Sequence, residues 1–155
     1  MVIDKNYEGL IDCGDYYKYD GDIATDGNLD IRVNLHVTGW ITAGVWIAAS
    51  ESISAGGSIL AGKWILVGKW ITAGKWITAN EWIEMNGIRS NWLIIISGLK
   101  WKIWLMETHI RIGCEFHTRE EWKNFTDDEI GKMNANSVDW WNKYKNWILT
   151  LPQEG

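Results

Sequence analysis

Bulky apolar residues recur every six positions through the first half of the chain. From Ile11 the series runs Ile11, Tyr17, Ile23, Leu29, Leu35, Ile41, Ile47, Ile53, Ile59, Ile65, Ile71, Ile77 and Ile83. Two positions after each of these the residue is never charged and is mostly small, from Cys13 through Ala43, Ala49, Ala55 and Ala61 to Ala79 and Met85. Residues i and i+2 of an extended chain share a face, so each hexad predicts a very short strand with one large and one small side chain pointing inward. Two inward residues cannot form a core alone, and six residues are too few for a helical repeat. Only stacking of successive coils buries them. Three equal hexads close a triangular coil of 18 residues. The expected fold is therefore mainly β: a single-stranded parallel β-helix over residues 1–117, with a short α-helical tail over 118–155.

The 18-residue register makes its own predictions, because residues 18 apart should lie above one another at a strand spacing of roughly 4.8 Å. It places Lys63 with Glu81 and Glu51 with Lys69, two opposite-charge pairs. It also stacks Trp46, Trp64 and Trp82 in one column, and puts Trp40 and Trp76 in another with Ser58 between them. Gly44, Gly56, Gly62, Gly68 and Gly74 hold the fourth hexad position, where a sharp bend would favour a residue tolerant of positive φ. Cys13 is expected to point inward.

After Ile83 the spacing breaks, with Ile88 and Leu93 following at five and Leu99 and Leu105 at six, which predicts one or two irregular final coils. Residues 100–106 alternate but are apolar on both faces, as befits a strand covered on its outside, here by the tail. From Thr118 the period turns helical. Thr118 with Glu121 and Thr126 with Glu129 are both capping boxes, each predicting a helix start. A third helix is expected from Asn136 to Leu151, ended by Pro152. Its face of Trp140, Trp141, Tyr144, Trp147, Ile148 and Leu151 needs a partner surface, which an end or flank of the β-helix would supply. Trp101, Trp104, Trp140, Trp141, Tyr144 and Trp147 are the candidate contacts of a homo-oligomer.

Thirteen of the 155 residues are tryptophan. Six of them, Trp40, Trp46, Trp64, Trp70, Trp76 and Trp82, fall at the outward sixth hexad position. An aromatic side chain buries about 150–250 Å², so six rings one-third exposed would leave roughly 300–500 Å² of apolar surface. Tryptophan is enriched among residues that dominate binding energy, which makes these six candidate partner-binding residues. Charge is uneven too. Residues 1–37 hold eight acidic side chains against three basic ones, which equals the net charge of −5 for the whole chain. Asp12, Asp15, Asp20, Asp22, Asp26 and Asp30 could imitate a phosphate backbone and occupy a nuclease channel. A net negative chain has no general attraction to phosphate itself, so direct nucleic-acid binding is not expected.

Signs of catalysis are sparse. No G-x-S-x-G, Walker loop, H-E-x-x-H or G-x-G-x-x-G occurs, and neither His36 nor His109 has a nucleophile motif around it. Cys114-x-x-His117 is half a zinc motif without a second pair, so no metal and no cofactor are expected. Two cysteines, and a start without a basic-then-apolar pattern, point to a reducing cytoplasmic setting. The longest apolar run, Trp92 to Ile96, is well short of the roughly 18 residues of a membrane span.

The I-x-A-G-x-W hexads, followed by RIGCEFHTREEW at 111–122, FTDDEI at 125–130 and WWNKYK at 140–145, resemble small proteins of phages and prophages. That resemblance implies a compact, enzyme-free protein of a bacterial host cell that blocks a host defence protein by protein contact, as anti-CRISPR proteins block CRISPR effector nucleases. The hexads also resemble those of hexapeptide-repeat proteins, left-handed β-helices that include acyltransferases, although here the small residue stands third and Gly fourth, as in Ile71–Trp76. Two further expectations stand beside the inhibitor: an oligomeric structural module of a phage, and a small-ligand sponge or acyltransferase-like β-helix.

Overall fold

A computed structural model describes residues 1–151 of the chain. It resolves into two compact units, Met1–Leu93 and the described chain from Ile94 onward. The first is a parallel β-solenoid of about four turns and about 18 residues per turn.

The solenoid opens with β1 (Val2–Ile3), then β2 (Leu10–Asp12) and β3 (Tyr17–Tyr19). The coils continue through β4 (Ile23–Thr25), β5 (Leu29–Ile31), β6 (Leu35–Val37), β7 (Ile41–Ala43), β8 (Trp46–Ala49) and β9 (Ile53–Ala55). Then come β10 (Ile59–Ala61), β11 (Trp64–Val67), β12 (Ile71–Ala73), β13 (Ile77–Ala79), β14 (Trp82–Met85) and β15 (Ile88–Ser90). From β3 to β14 successive strands visit three sheets in turn, and each pairs in parallel with the strand 18 residues away. Ile23, Ile41, Ile59 and Ile77 form one ladder, Leu29, Ile47, Ile65 and Ile83 a second, and Tyr17, Leu35, Ile53 and Ile71 a third. The lead residues from Ile23 to Ile71 are buried, as are Ala43, Ala49, Ala55 and Ala61 two positions on. The large-and-small inward pair is thus the core. The register also joins Lys69 to Glu51 in an ion pair and sets the Glu81 N–H on the Lys63 carbonyl at 2.8 Å.

The two ends depart from the hexad reading. Ile11 is 48% exposed and Cys13 is exposed, not inward, because β2 runs antiparallel to β3 as a hairpin on the edge of the third sheet. Spacing of six from Ile11 to Tyr17 spans a chain reversal through Gly14 (φ +88°), not a coil corner. The second sheet is closed below by β1, with Ile3 opposite Ile31, and above by β15, which folds back antiparallel on β14. That turn is Asn86 (φ +50°) and Gly87 (φ +78°), the two-residue type whose twist matches the strands it joins.

The corner glycines also serve a different purpose from the one expected. Gly44, Gly56, Gly62, Gly68 and Gly74 do not have positive φ. A Cβ on any of them would lie 2.0–2.3 Å from a backbone carbonyl oxygen of the coil 18 residues earlier. Close stacking of the corners, not backbone handedness, requires glycine there.

In place of irregular final coils, the second unit begins with a four-stranded antiparallel sheet. Its strands are β16 (Ile94–Ile96), β17 (Ile103–Leu105), β18 (His109–Ile112) and β19 (Glu115–Thr118), in that order. β17 is buried on both faces, as its doubly apolar pattern requires. Three helices follow: α1 (Arg119–Asn124), α2 (Asp127–Met133) and α3 (Ser137–Thr150). Thr118 and Thr126 form both capping boxes in full. α3 runs between Asn136 and Leu151, where it was expected; Pro152 lies outside the described residues. Trp122 of α1 anchors the helices to the sheet, its Nε1 donating to the Ile110 carbonyl at 2.8 Å.

Candidate functional site

The outward tryptophans occupy the residue just before each inward isoleucine, and two columns of them behave differently. In the second sheet, Trp46, Trp64 and Trp82 stack at 5.1 and 5.0 Å with interplanar angles of 3° and 2°. The Arg89 guanidinium covers Trp82 at 3.8 Å from the ring centroid, and its Nη2 is held by Glu84 at 3.2 Å. Both faces of Trp64 and Trp82 and one face of Trp46 are therefore occupied, and all three indoles are half-buried. This column is a ladder that binds coil to coil.

In the first sheet the column reads Asp22, Trp40, Ser58, Trp76. Ser58 is fully buried, and its Oγ accepts from the Trp76 N–H at 3.3 Å. Asp22 Oδ1 accepts from the Trp40 N–H at 2.7 Å, and Ser52 Oγ from the Trp70 N–H at 3.2 Å. A short polar side chain one coil earlier thus satisfies the backbone of each of these tryptophans. With no indole at Ser58, the rings of Trp40 and Trp76 cannot form a continuous stack. Trp40 leans on Gly57, where a Cβ would meet its Cδ1 at 2.5 Å, and the Lys75 ammonium lies 5.4 Å from the Trp40 ring. Trp40 is 40% exposed and Trp76 66%. Trp70, in the remaining sheet, is half-buried.

The acidic candidates do not act as one group. Asp20 pairs with Lys18 at 2.7 Å and Asp30 with Arg32 at 2.8 Å. Asp12 Oδ1 accepts from the Gly14 N–H at 2.8 Å in the hairpin turn, and Asp22 is engaged as described. Asp15 and Asp26 are exposed. Four of the six carboxylates therefore have structural partners, which weakens the resemblance to a bare row of phosphates.

No protein-family model, no curated protein and no solved structure matches the chain significantly. The functional reading therefore rests on geometry. Among the described residues no helix is long and apolar enough to cross a membrane, and no three His, Cys, Asp or Glu side chains are grouped to hold a metal ion. His36 Nδ1 lies 2.8 Å from Ser54 Oγ on the outer face of the third sheet, with Tyr16 edge-on at 6.3 Å. This contact follows directly from the 18-residue register, which sets Ser54 beside His36.

The tail residues expected at an oligomer interface divide by burial. Trp104 and Trp141 are buried, Trp104 beside the Arg111 guanidinium at 4.3 Å and Trp141 against Trp122 at 5.2 Å. Burial pushes Arg111 down to about 10, still charged at neutral pH. Trp101 and Trp140 are half-buried and meet edge to face at 5.1 Å and 88°. Tyr144 lies between Trp140 at 5.0 Å and Trp147 at 6.3 Å, and Trp147 is 43% exposed.

Titration in this unit has a definite sign. Hydrogen bonds from the Thr118 backbone and hydroxyl hold the Glu121 carboxyl below its ordinary value, and Thr126 does the same for Glu129. Their stabilisation is present above the ordinary carboxylate value and is lost as pH falls through the depressed one. Burial lowers His109, opposed by Glu121 and aided by His117. The unfolded chain therefore takes up that proton first, and stability falls once pH drops below about 6.5. The melting temperature of the helical signal is expected to decline from pH 7 to pH 4 without a rise. Thr118→Ala with Thr126→Ala should flatten the acid limb, and an unchanged limb in that variant would remove the caps as its cause.

Proposed function

We propose that the protein is a non-enzymatic binding module that acts by protein–protein contact through the solenoid corner bearing Trp40 and Trp76. The observation that carries this reading is the exposure of Trp76, 66%, with Trp40 at 40% two coils earlier in the same column. Large, rigid indoles held on a stacked backbone lose little conformational entropy on binding and are favoured at interface centres. The other columns offer less, since Trp46, Trp64 and Trp82 are committed to their own ladder. A host defence nuclease as partner follows from the resemblance of the hexads and tail to small phage proteins, and it is part of the proposal on that ground alone.

The test is a tagged pull-down from bacterial lysate, followed by calorimetry with the purified partner. Serine already stands at position 58 in the same column, so Trp40→Ser with Trp76→Ser should leave the far-UV circular dichroism unchanged. Affinity is expected to fall about 100-fold or more, two hot-spot residues being removed. A folded double variant that binds at full strength would overturn the reading. Recovery of the protein alone, at one fixed oligomer mass by light scattering, would transfer the proposal to a structural module.

A further inference from the structure

We infer that the second unit holds a binding site for a methylated ammonium group, in a half-open cavity of about 100 Å³ walled by four tryptophans. Trp101 precedes β17, Trp122 comes from α1, and Trp140 and Trp141 come from α3. Ile112 and Ile130 complete a floor in which Trp122 and Trp141 are also buried. Cys114 and Asn134, both exposed, lie at the rim. All of these residues belong to one compact unit.

Small residues border this half-open space, Gly113 and Ser137 among them. Gly113 has φ +58°, and a Cβ there would sit 3.0 Å from Trp101 Cδ1. The glycine lets the indole lie directly on the turn between β18 and β19, which the Gly113 N–H closes onto the Lys102 carbonyl at 3.0 Å. Position 113 thus maintains the wall and does not fill the space.

The chemistry of the lining selects the occupant. Trp101 and Trp140 meet edge to face, and Trp122 and Trp141 are inclined at 43°, so the four ring planes in the lining differ in direction. A cation near such rings is attracted by their quadrupoles, and methylated ammonium groups are well suited to aromatic walls. Glu115 is the one charged residue among those lining the cavity, and His117 Nε2 lies 3.0 Å from its Oε2. A neutral aliphatic occupant gains nothing from that carboxylate, whereas a cation is attracted by both the carboxylate and the rings. Methyl groups, unlike the N–H bonds of a plain ammonium, need no acceptors from a wall that is mostly apolar. The Lys100 ammonium, which is not among the cavity's lining groups, lies 4.5 Å from the Trp101 ring.

The test is titration of the full chain with choline and with tetramethylammonium chloride, read by tryptophan fluorescence and calorimetry. Dimethylbutanol, the neutral carbon isostere of choline, is the comparison, and sodium chloride is the ionic control. Choline is expected to bind about tenfold more tightly than dimethylbutanol. Trp140→Leu and Glu115→Gln should each weaken choline about tenfold, with dimethylbutanol little changed by Glu115→Gln. Equal binding of the neutral isostere, or no saturable binding of choline into the tens of millimolar, would overturn the site. If Trp140→Leu does not fold, Glu115→Gln decides alone. Trp40→Ser with Trp76→Ser should bind choline as the wild type does, so failure of this site and failure of the protein-contact reading remain separate results.

Discussion

Replacing Ile65 with alanine is expected to lower the free energy of unfolding by about 2–5 kcal/mol, toward the upper end of that range. Ile65 is fully buried and lies in ladder register with Ile47 on one side and Ile83 on the other, both also buried. The cost of a cavity depends on how far its surroundings can collapse, and here they are restrained. β11 is hydrogen-bonded in parallel to both β8 and β14 over four residues each, so neither neighbouring coil can approach without shearing a ladder. In a solenoid each coil is stabilised by its neighbours, and Ile65 contributes to two of those interfaces. Ile77→Ala is the control: it sits on the last rung of its ladder and is only half-buried, so its loss should be about 1–2 kcal/mol. Urea titration followed by far-UV circular dichroism checks both. A loss below about 1 kcal/mol at Ile65 would mean that the coils slide together to fill the space.

How much of this was legible in the residues depends on the kind of order involved. Side-chain periodicity identified the strands, the 18-residue register and the tryptophan columns, because parallel stacking repeats one local pattern. It did not report strand direction. Ile11 continues the series of six, yet β2 runs antiparallel to β3, since a count of apolar positions is the same in either direction. The antiparallel return at the far end does have a signal in Asn86-Gly87, a strong short-range mark of a hairpin to which six-residue periodicity is blind. Columns likewise revealed which indoles are neighbours, but not what neighbours do. Three tryptophans on successive rungs stack flat, and one serine between two of them leaves Trp40 and Trp76 unstacked. The cavity of the second unit had no local signature. Trp101 and Trp140 are brought together by a sheet and three helices, and no periodicity connects residues so far apart.

Gly62→Ala should destabilise the solenoid by about 1–3 kcal/mol, whereas Gly27→Ala should stabilise it by about 0.4–1 kcal/mol. Both are corner glycines without positive φ, so the contrast isolates steric fit from backbone preference. A Cβ at Gly62 would lie 2.0 Å from the Gly44 carbonyl oxygen and 2.9 Å from its carbon, while one at Gly27 would meet nothing within 4 Å. The clash at Gly62 is with backbone, and that backbone is tied on both sides: the Gly62 N–H donates to the Ala43 carbonyl at 3.0 Å and the Lys63 N–H to the Val45 carbonyl at 2.7 Å. Relief therefore requires lengthening hydrogen bonds between coils. The column itself shows where a side chain is accepted. Asp26 stands on its first rung, and Asn80, on its last, carries a Cβ above Gly62 and donates from Nδ2 to the Gly62 carbonyl at 2.8 Å. In this column the side chains stand on the end rungs and the glycines on the interior ones. If Gly62→Ala proves as mild as Gly27→Ala in thermal unfolding, interior corners yield like the terminal one, and the recurrence of glycine at positions 44 and 62 would then need a reason other than coil spacing.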